Sequence, residues 1–134
     1  MQSYRVTARR LDAQGSRAAS KAAELTLDTS AAGRADAFNP AELLLASLAA
    51  CILKGAERVI PMLNFELRGV EVTITGERQD APPMMTRIGY EIVVDSDEPD
   101  HRLDLLHRNL RKYGTIQNTL AAAVEVQGTL RRKS

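Results

Sequence analysis

The single cysteine of this 134-residue chain, Cys51, is the side chain best suited to chemistry. It lies in an apolar run that we predict to be a helix, and a helix turns by about 100° per residue. Lys54 and Arg58 then fall on the same side of the helix as the thiol. Because nearby positive charge favours the nucleophilic thiolate, this spacing predicts a reactive cysteine. The alternative is an inert buried thiol, beside two cations that only reach from a buried helix to water.

The helix that carries this cysteine has a clear start signal. Asn39 suits the N-cap, a proline follows at the first helical position, and Glu42 suits the third position of a capping box. We predict a helix over 40–59, which Pro61 and Asn64 end. Its segment 43–53 is apolar on nearly every side, which predicts burial on every side. Wrapping by a sheet, or sharing across a dimer interface, would provide that burial.

The remaining segments predict an α+β fold in a single domain, 1–134. Alternating patterns predict five strands, at 4–10, 22–28, 65–76, 86–95 and 124–130. Residues 12–16 predict a turn, and the strands 65–76 and 86–95 predict a hairpin. A second helix over 99–113 has an apolar stripe and a glycine, Gly114, suited to its C′ position. A short helix over 115–123 precedes the last strand. The expected order is β-β-α-β-β-α-α-β, with an antiparallel sheet.

Composition excludes several classes of function. Lys and Arg total 18 and Asp and Glu total 17, so the net charge of +1 lacks the basic excess of a nucleic-acid binder. Aromatic residues form 4% of the chain, too few for base-stacking platforms. The longest apolar run, 43–53, is shorter than the ~20 residues of a membrane helix, and the first ten residues contain no apolar signal region. We expect a cytoplasmic protein with no nucleic-acid or membrane partner.

We also expect no metal and no cofactor. One cysteine allows no intramolecular disulfide, and no Cys/His spacing typical of zinc sites occurs. His101, Asp104 and His107 lie three residues apart on the second helix, and we interpret them as a solvated polar face. No phosphate loop or dinucleotide fingerprint is present.

The run from Phe38 to Cys51, FNPAELLLASLAAC, resembles the first active-site helix of the OsmC/Ohr family, the osmotically inducible and organic-hydroperoxide-resistance proteins. The resemblance continues through 64–76 and the Asn-Thr-Leu at 118–120, and it covers about 38–131. It implies an OsmC-like intertwined homodimer, in which antiparallel sheets are wrapped around a pair of central helices.

The resemblance also implies a set of site residues. Peroxidase members reduce organic hydroperoxides at the subunit interface, where one cysteine becomes a sulfenic acid and a second resolves it as a disulfide. An arginine and a glutamate orient and activate the thiolate. Cys51 matches the first cysteine, whereas Gly114 stands where the second is expected and Ala41 stands where the glutamate is expected.

The family's arginine comes from the N-terminal part, where the resemblance is weakest. Arg34 is the candidate that we carry forward, and Arg9, Arg10 and Arg17 remain alternatives.

These residues predict a single-cysteine, thiol-dependent peroxidase. Cys51 would attack an organic hydroperoxide, Lys54 or Arg58 would favour its thiolate, and an external thiol would reduce the sulfenic acid. The surrounding leucines and alanines favour hydrophobic peroxides. The alternative is a non-catalytic OsmC-like dimer that binds a small apolar or thiol-reactive ligand, with Cys51 lining its pocket.

Overall fold

Nine elements follow one another in the computed structural model, which describes residues 1–134. They are β1 (Thr7–Asp12), β2 (Gly15–Ser20), β3 (Ala23–Leu27), α1 (Pro40–Leu63), β4 (Gly69–Asp80), β5 (Pro83–Asp95), α2 (Asp100–Tyr113), α3 (Thr115–Ala121) and β6 (Glu125–Arg132). This arrangement confirms the α+β class. The chain forms two compact units, an N-terminal unit (Met1–Leu44) and a C-terminal unit (Leu45–Ser134).

The N-terminal unit contains a three-stranded antiparallel sheet in the order β1-β2-β3. The middle strand corrects the sequence prediction, which placed residues 12–16 in a turn. The turn is shorter, because the Asp12 carboxylate accepts hydrogen bonds from the backbone N–H groups of Gln14 and Gly15 at 2.8 and 3.2 Å. The sequence of β2, GSRAAS, has no hydrophobic alternation. It is recognised as a strand only from its pairing with β1 and β3.

Helix α1 begins as predicted and ends later than predicted. The Asn39 side chain accepts a hydrogen bond from the Glu42 N–H at 2.8 Å, and the Glu42 carboxylate accepts one from the Asn39 N–H at 2.9 Å. This reciprocal pair confirms the capping box. We expected Pro61 to end the helix, but the last turn continues past it to Asn64, which has a φ of 48°. The Phe65 N–H then donates to the Ile60 carbonyl at 2.9 Å, as in a Schellman motif.

The second sheet, in the order β4-β5-β6, belongs to the C-terminal unit and is mixed. Strands β4 and β5 form the predicted hairpin. Both strands extend beyond their predicted bounds to a turn at residues 81–82. Strand β6 pairs with β5 in parallel, which corrects the expectation of an antiparallel sheet. The reason is the connection: α2 and α3 carry the chain back to the end of the sheet where β5 began, and a crossover of this kind yields parallel pairing.

The core of the C-terminal unit lies between α1, α2 and the inner face of this sheet. Leu48, Ile52 and Val59 fill it from α1, and the predicted stripe of leucines fills it from α2. Helix α1 is not covered on every side, since Leu44 is 36% exposed and Leu53 is 42% exposed. The expectation of burial on every side is therefore not met within one chain.

Candidate active site

Cys51 lies halfway along α1, next to the buried Ile52, and is itself partly exposed. The segment between α2 and α3 covers one side of its thiol. A Cβ atom placed on Gly114 would be 3.2 Å from the Cys51 sulfur. In a disulfide, standard bond lengths put the Cβ of one cysteine about 3 Å from the sulfur of the other. Gly114 thus occupies the place from which a second cysteine would reach Cys51.

Gly114 differs from the prediction in its backbone. Its φ of −79° and ψ of 117° are extended, not left-handed, because it ends α2 and begins α3 at once. Its Cβ would also lie 2.9 Å from the Leu110 carbonyl oxygen, closer than such contacts allow. A side chain at this position therefore requires a small shift of the last turn of α2.

The other side of the thiol is open. Cys51, Lys54, Gly55, Glu57 and Arg58 line a shallow depression of about 460 Å³. The structure thus brings the three predicted residues Cys51, Lys54 and Arg58 together, as the helical rotation indicated. Glu57 lies in the same depression. We had not predicted it, although its position next to Arg58 in the sequence was a usable signal.

Helix α2 holds one of these cations in place. The Arg58 guanidinium donates a hydrogen bond to the Asn109 side-chain oxygen at 3.0 Å. It also lies over the Tyr113 ring, 5.6 Å from the ring centroid, a cation–π arrangement. Asn109 had not been predicted, because no local pattern links it to a residue 51 positions away.

A glycine of α1 makes room for a leucine of α2. A Cβ on Gly55 would lie 2.8 Å from a methyl group of Leu110. Leu110 thus packs on α1 at this position, and Asn109, Tyr113 and Gly114 follow from the same end of α2 on the thiol's side of α1.

Arg34 forms its hydrogen bonds with residues of the N-terminal unit. Its guanidinium donates two hydrogen bonds to the Asp36 carboxylate, at 2.6 and 2.9 Å, and these raise the pKa of Arg34. Its backbone N–H donates to Asp28 at 2.9 Å, which together with Ser30 lowers the pKa of that carboxyl. Of the alternatives, Arg17 lies 3.9 Å from Glu24 in the neighbouring strand. A role for any of these arginines stays a prediction.

A second polar cluster lies on the other side of α2. The Tyr90 hydroxyl is 2.7 Å from His107 Nε2, and Arg111 donates to the same hydroxyl at 3.4 Å and to the Val126 carbonyl at 3.3 Å. Burial, followed by the charge of Arg111, lowers the pKa of His107. His107 is thus half-buried and bonded to a core tyrosine, which corrects its assignment to a solvated face.

Comparison with known proteins decides the family. The family profile described as OsmC-like protein matches residues 33–128. The chain belongs to the OsmC-like family. No curated protein matches the sequence, and no helix in the structure is both long and apolar enough to cross a membrane.

Solved OsmC-like structures share the fold over the whole chain. An OsmC-like protein from Mycoplasma pneumoniae superposes with a TM-score of 0.89 at 22% identity, covering 99% of both chains. The organic hydroperoxide resistance protein OhrB of Bacillus subtilis has a TM-score of 0.68 at 20% identity, over 97% of this chain and 98% of its own. An organic hydroperoxide resistance protein from Elizabethkingia anophelis has a TM-score of 0.77 at 15% identity, over 98% and 99%. At these identities the likeness concerns the fold.

Proposed function

We propose that this OsmC-like protein is a single-cysteine, thiol-dependent peroxidase that reduces organic hydroperoxides in the cytoplasm. The observation that carries the proposal is the position of Cys51. Its thiol is covered on one side by Gly114 and opens on the other side into a depression that contains Lys54 and Arg58. An accessible sulfur beside positive charge is the usual environment of a reactive cysteine.

The first step uses the thiolate of Cys51. Its sulfur attacks the terminal oxygen of the hydroperoxide, the O–O bond breaks, and the leaving alkoxide takes up a proton to give the alcohol. Cys51 is left as a sulfenic acid. Lys54 and Arg58 favour the starting thiolate, and in this proposal Arg34 is the N-terminal arginine that holds the peroxide.

The second step needs a sulfur that the chain does not supply. Gly114 occupies the place of the resolving cysteine, so an external thiol attacks the sulfenic acid and releases water. A second thiol then reduces the mixed disulfide and regenerates Cys51. No metal or cofactor takes part in either step.

We further propose that residues 1–134 form one OsmC-like domain that works as an intertwined homodimer. The support is apolar surface that one chain leaves uncovered. It includes Leu44 and Leu53 on α1, and in the N-terminal unit Tyr4 is 81% exposed and Val6 is 65% exposed. Sedimentation or light scattering of the purified protein tests this: a stable monomer at micromolar concentration would contradict it.

Intact-mass spectrometry of the reduced protein tests the peroxidase proposal. We expect an organic hydroperoxide, in the presence of a sulfenic-acid trap, to give one adduct at Cys51 within seconds. Cys51→Ser should give none. Ser47→Ala, one helical turn before the cysteine on the same face, is the matched control and should react like the natural protein.

A second candidate function has support of its own. Ala41 and Gly114 replace two groups of the peroxidase site that the family resemblance implies, which favours a non-catalytic dimer that binds a small apolar or thiol-reactive ligand. The trapping experiment separates the two. Absence of any adduct at Cys51 under conditions in which free cysteine reacts would favour the binding protein.

A further inference from the structure

The charged groups beside Cys51 form no ion pair within the chain. Lys54, Glu57 and Arg58 line its depression, and none of them takes part in an ion pair. Other parts of the C-terminal unit pair their charges closely, for example Arg68 with Asp95 at 2.9 Å. The depression therefore keeps two cations available to a ligand.

Arg58 is the better placed of the two cations. Asn109 accepts one of its hydrogen bonds, its guanidinium carbon lies 5.6 Å from the Tyr113 ring centroid, and both groups are uncharged. A guanidinium has five N–H donors, and Asn109 uses one of them. The remaining donors stay available on a group whose orientation is already fixed. A fixed guanidinium with free donors is the preferred partner of a carboxylate.

Resting on the proposed function, we propose that the depression beside Cys51 binds the carboxylate of the external reductant, a low-molecular-weight monothiol, through Arg58 with help from Lys54. Asn109 and Tyr113 are then positioning residues. Charge favours this occupant over an uncharged hydroperoxide. The depression measures about 460 Å³, and its two cations outnumber its one carboxylate, Glu57. The rest of its surface is mostly apolar, so the short stem of a small thiol can pack there while its carboxylate reaches the cations.

The bound thiol acts in two balanced steps. Its thiolate attacks the sulfur of the Cys51 sulfenic acid, an S–S bond forms, and the departing hydroxide takes up a proton to leave as water. A second thiolate attacks the sulfur of the bound thiol in the mixed disulfide. Cys51 leaves as a thiolate, and the two thiol molecules leave as their disulfide. The hydroperoxide is the oxidant in the complete cycle.

A test that needs no peroxide isolates thiol recognition. Methyl methanethiosulfonate converts Cys51 to its S-methyl disulfide, and the rate of its reduction is followed by mass spectrometry. The probes are 3-mercaptopropionate, which is anionic, and 3-mercaptopropanol, a neutral thiol of the same length. We expect the ratio of the two rates to fall about fivefold in Arg58→Gln, as for the loss of a partly exposed charge pair. The intrinsic reactivities of the two thiols cancel in this comparison.

Two variants separate recognition from net charge. Arg108→Gln removes the same charge from an exposed position on α2 and should leave the rate ratio unchanged. Asn109→Leu keeps every charge but releases Arg58, and it should lower the ratio by about twofold to threefold, the value of one hydrogen bond at an exposed site. An unchanged ratio in Arg58→Gln, or an equal fall in Arg108→Gln, would overturn the proposal.

The oxidant is tested separately. Oxidation of Cys51 by a carboxylated hydroperoxide and by a neutral one is compared in the natural protein and in Arg58→Gln. If Arg58 affects this comparison and leaves thiol selection unchanged, the carboxylate belongs to the oxidant and the proposal is wrong. If thiol selection depends on Arg58 but no hydroperoxide oxidises Cys51, the peroxidase proposal fails while this inference stands.

Discussion

Helix α2 carries two polar clusters that are completed in different ways. Toward the sheet, Tyr90, His107 and Arg111 bond to one another and to the backbone of β6, so their polar atoms are used within the fold. Toward α1, Asn109 and Tyr113 hold Arg58 but leave most of its donors free beside Cys51. The buried cluster fixes the helix, because unsatisfied polar groups are costly there. The exposed cluster can keep unused charge at little cost, and this leaves it available for chemistry.

Adding a side chain at Gly114, beside the thiol, should have the largest effect. We expect Gly114→Cys to form a disulfide with Cys51 on mild oxidation, with complete loss of free thiol and a second cysteine restored to the site. Thiol counting and intact mass measure this. Thr115→Cys, the exposed next residue, is the control and should retain two free thiols. Retention of both thiols in Gly114→Cys would mean that the last turn of α2 does not shift enough to bring the two sulfurs together.

Disturbing the buried cluster should lower stability most. A Cβ on Gly128 would lie 2.3 to 2.4 Å from atoms of the Tyr90 ring. We expect Gly128→Ala to lower the free energy of unfolding by about 2–3 kcal/mol, as for overpacked cores. Denaturant unfolding is the measurement. Gly69→Ala, where the nearest atom would be at 3.8 Å, should change it much less. Equal losses in the two variants would contradict the close fit of Tyr90 on Gly128.

Removing the Tyr90 hydroxyl should show that the two clusters contribute differently to stability. Tyr90→Phe leaves His107 Nε2 without its partner, and we expect it to lower the free energy of unfolding by about 1–2 kcal/mol. Asn109→Ala removes a hydrogen bond at an exposed position and should change stability by less than about 0.5 kcal/mol. If Asn109→Ala destabilises the fold as much as Tyr90→Phe, the exposed cluster is structural after all.

The smallest expected effect is a pH dependence of stability near neutrality. Burial lowers the pKa of His107 below its ordinary value of 6.5 in the folded state. Between the folded and unfolded pKa values the unfolded chain binds more protons, so stability falls as the pH is lowered through the ordinary pKa of 6.5. His107→Gln should weaken this dependence, and the same change at the exposed His101 should not. Identical pH profiles for all three proteins would contradict the assignment.

The local elements could largely be predicted from the sequence. The Asn39–Glu42 capping box, the β4–β5 hairpin and the leucine stripe of α2 all follow from short-range patterns, and the structure confirms them. Strand β2 was missed because its small residues show no alternation. The parallel pairing of β6 was missed because it depends on where the crossover returns the chain.

The candidate site likewise has one part that the sequence predicted and another that it did not. The sequence alone determined that Cys51, Lys54 and Arg58 share one face of α1, because helical rotation fixes the direction of each side chain. Only the tertiary structure decided that Asn109 and Tyr113 hold Arg58 and that Gly114 covers the thiol. These groups come from α2 and its end, where Leu110 packs against α1 beside Gly55. Contacts of this kind depend on packing between distant segments, and no local pattern in the sequence encodes them.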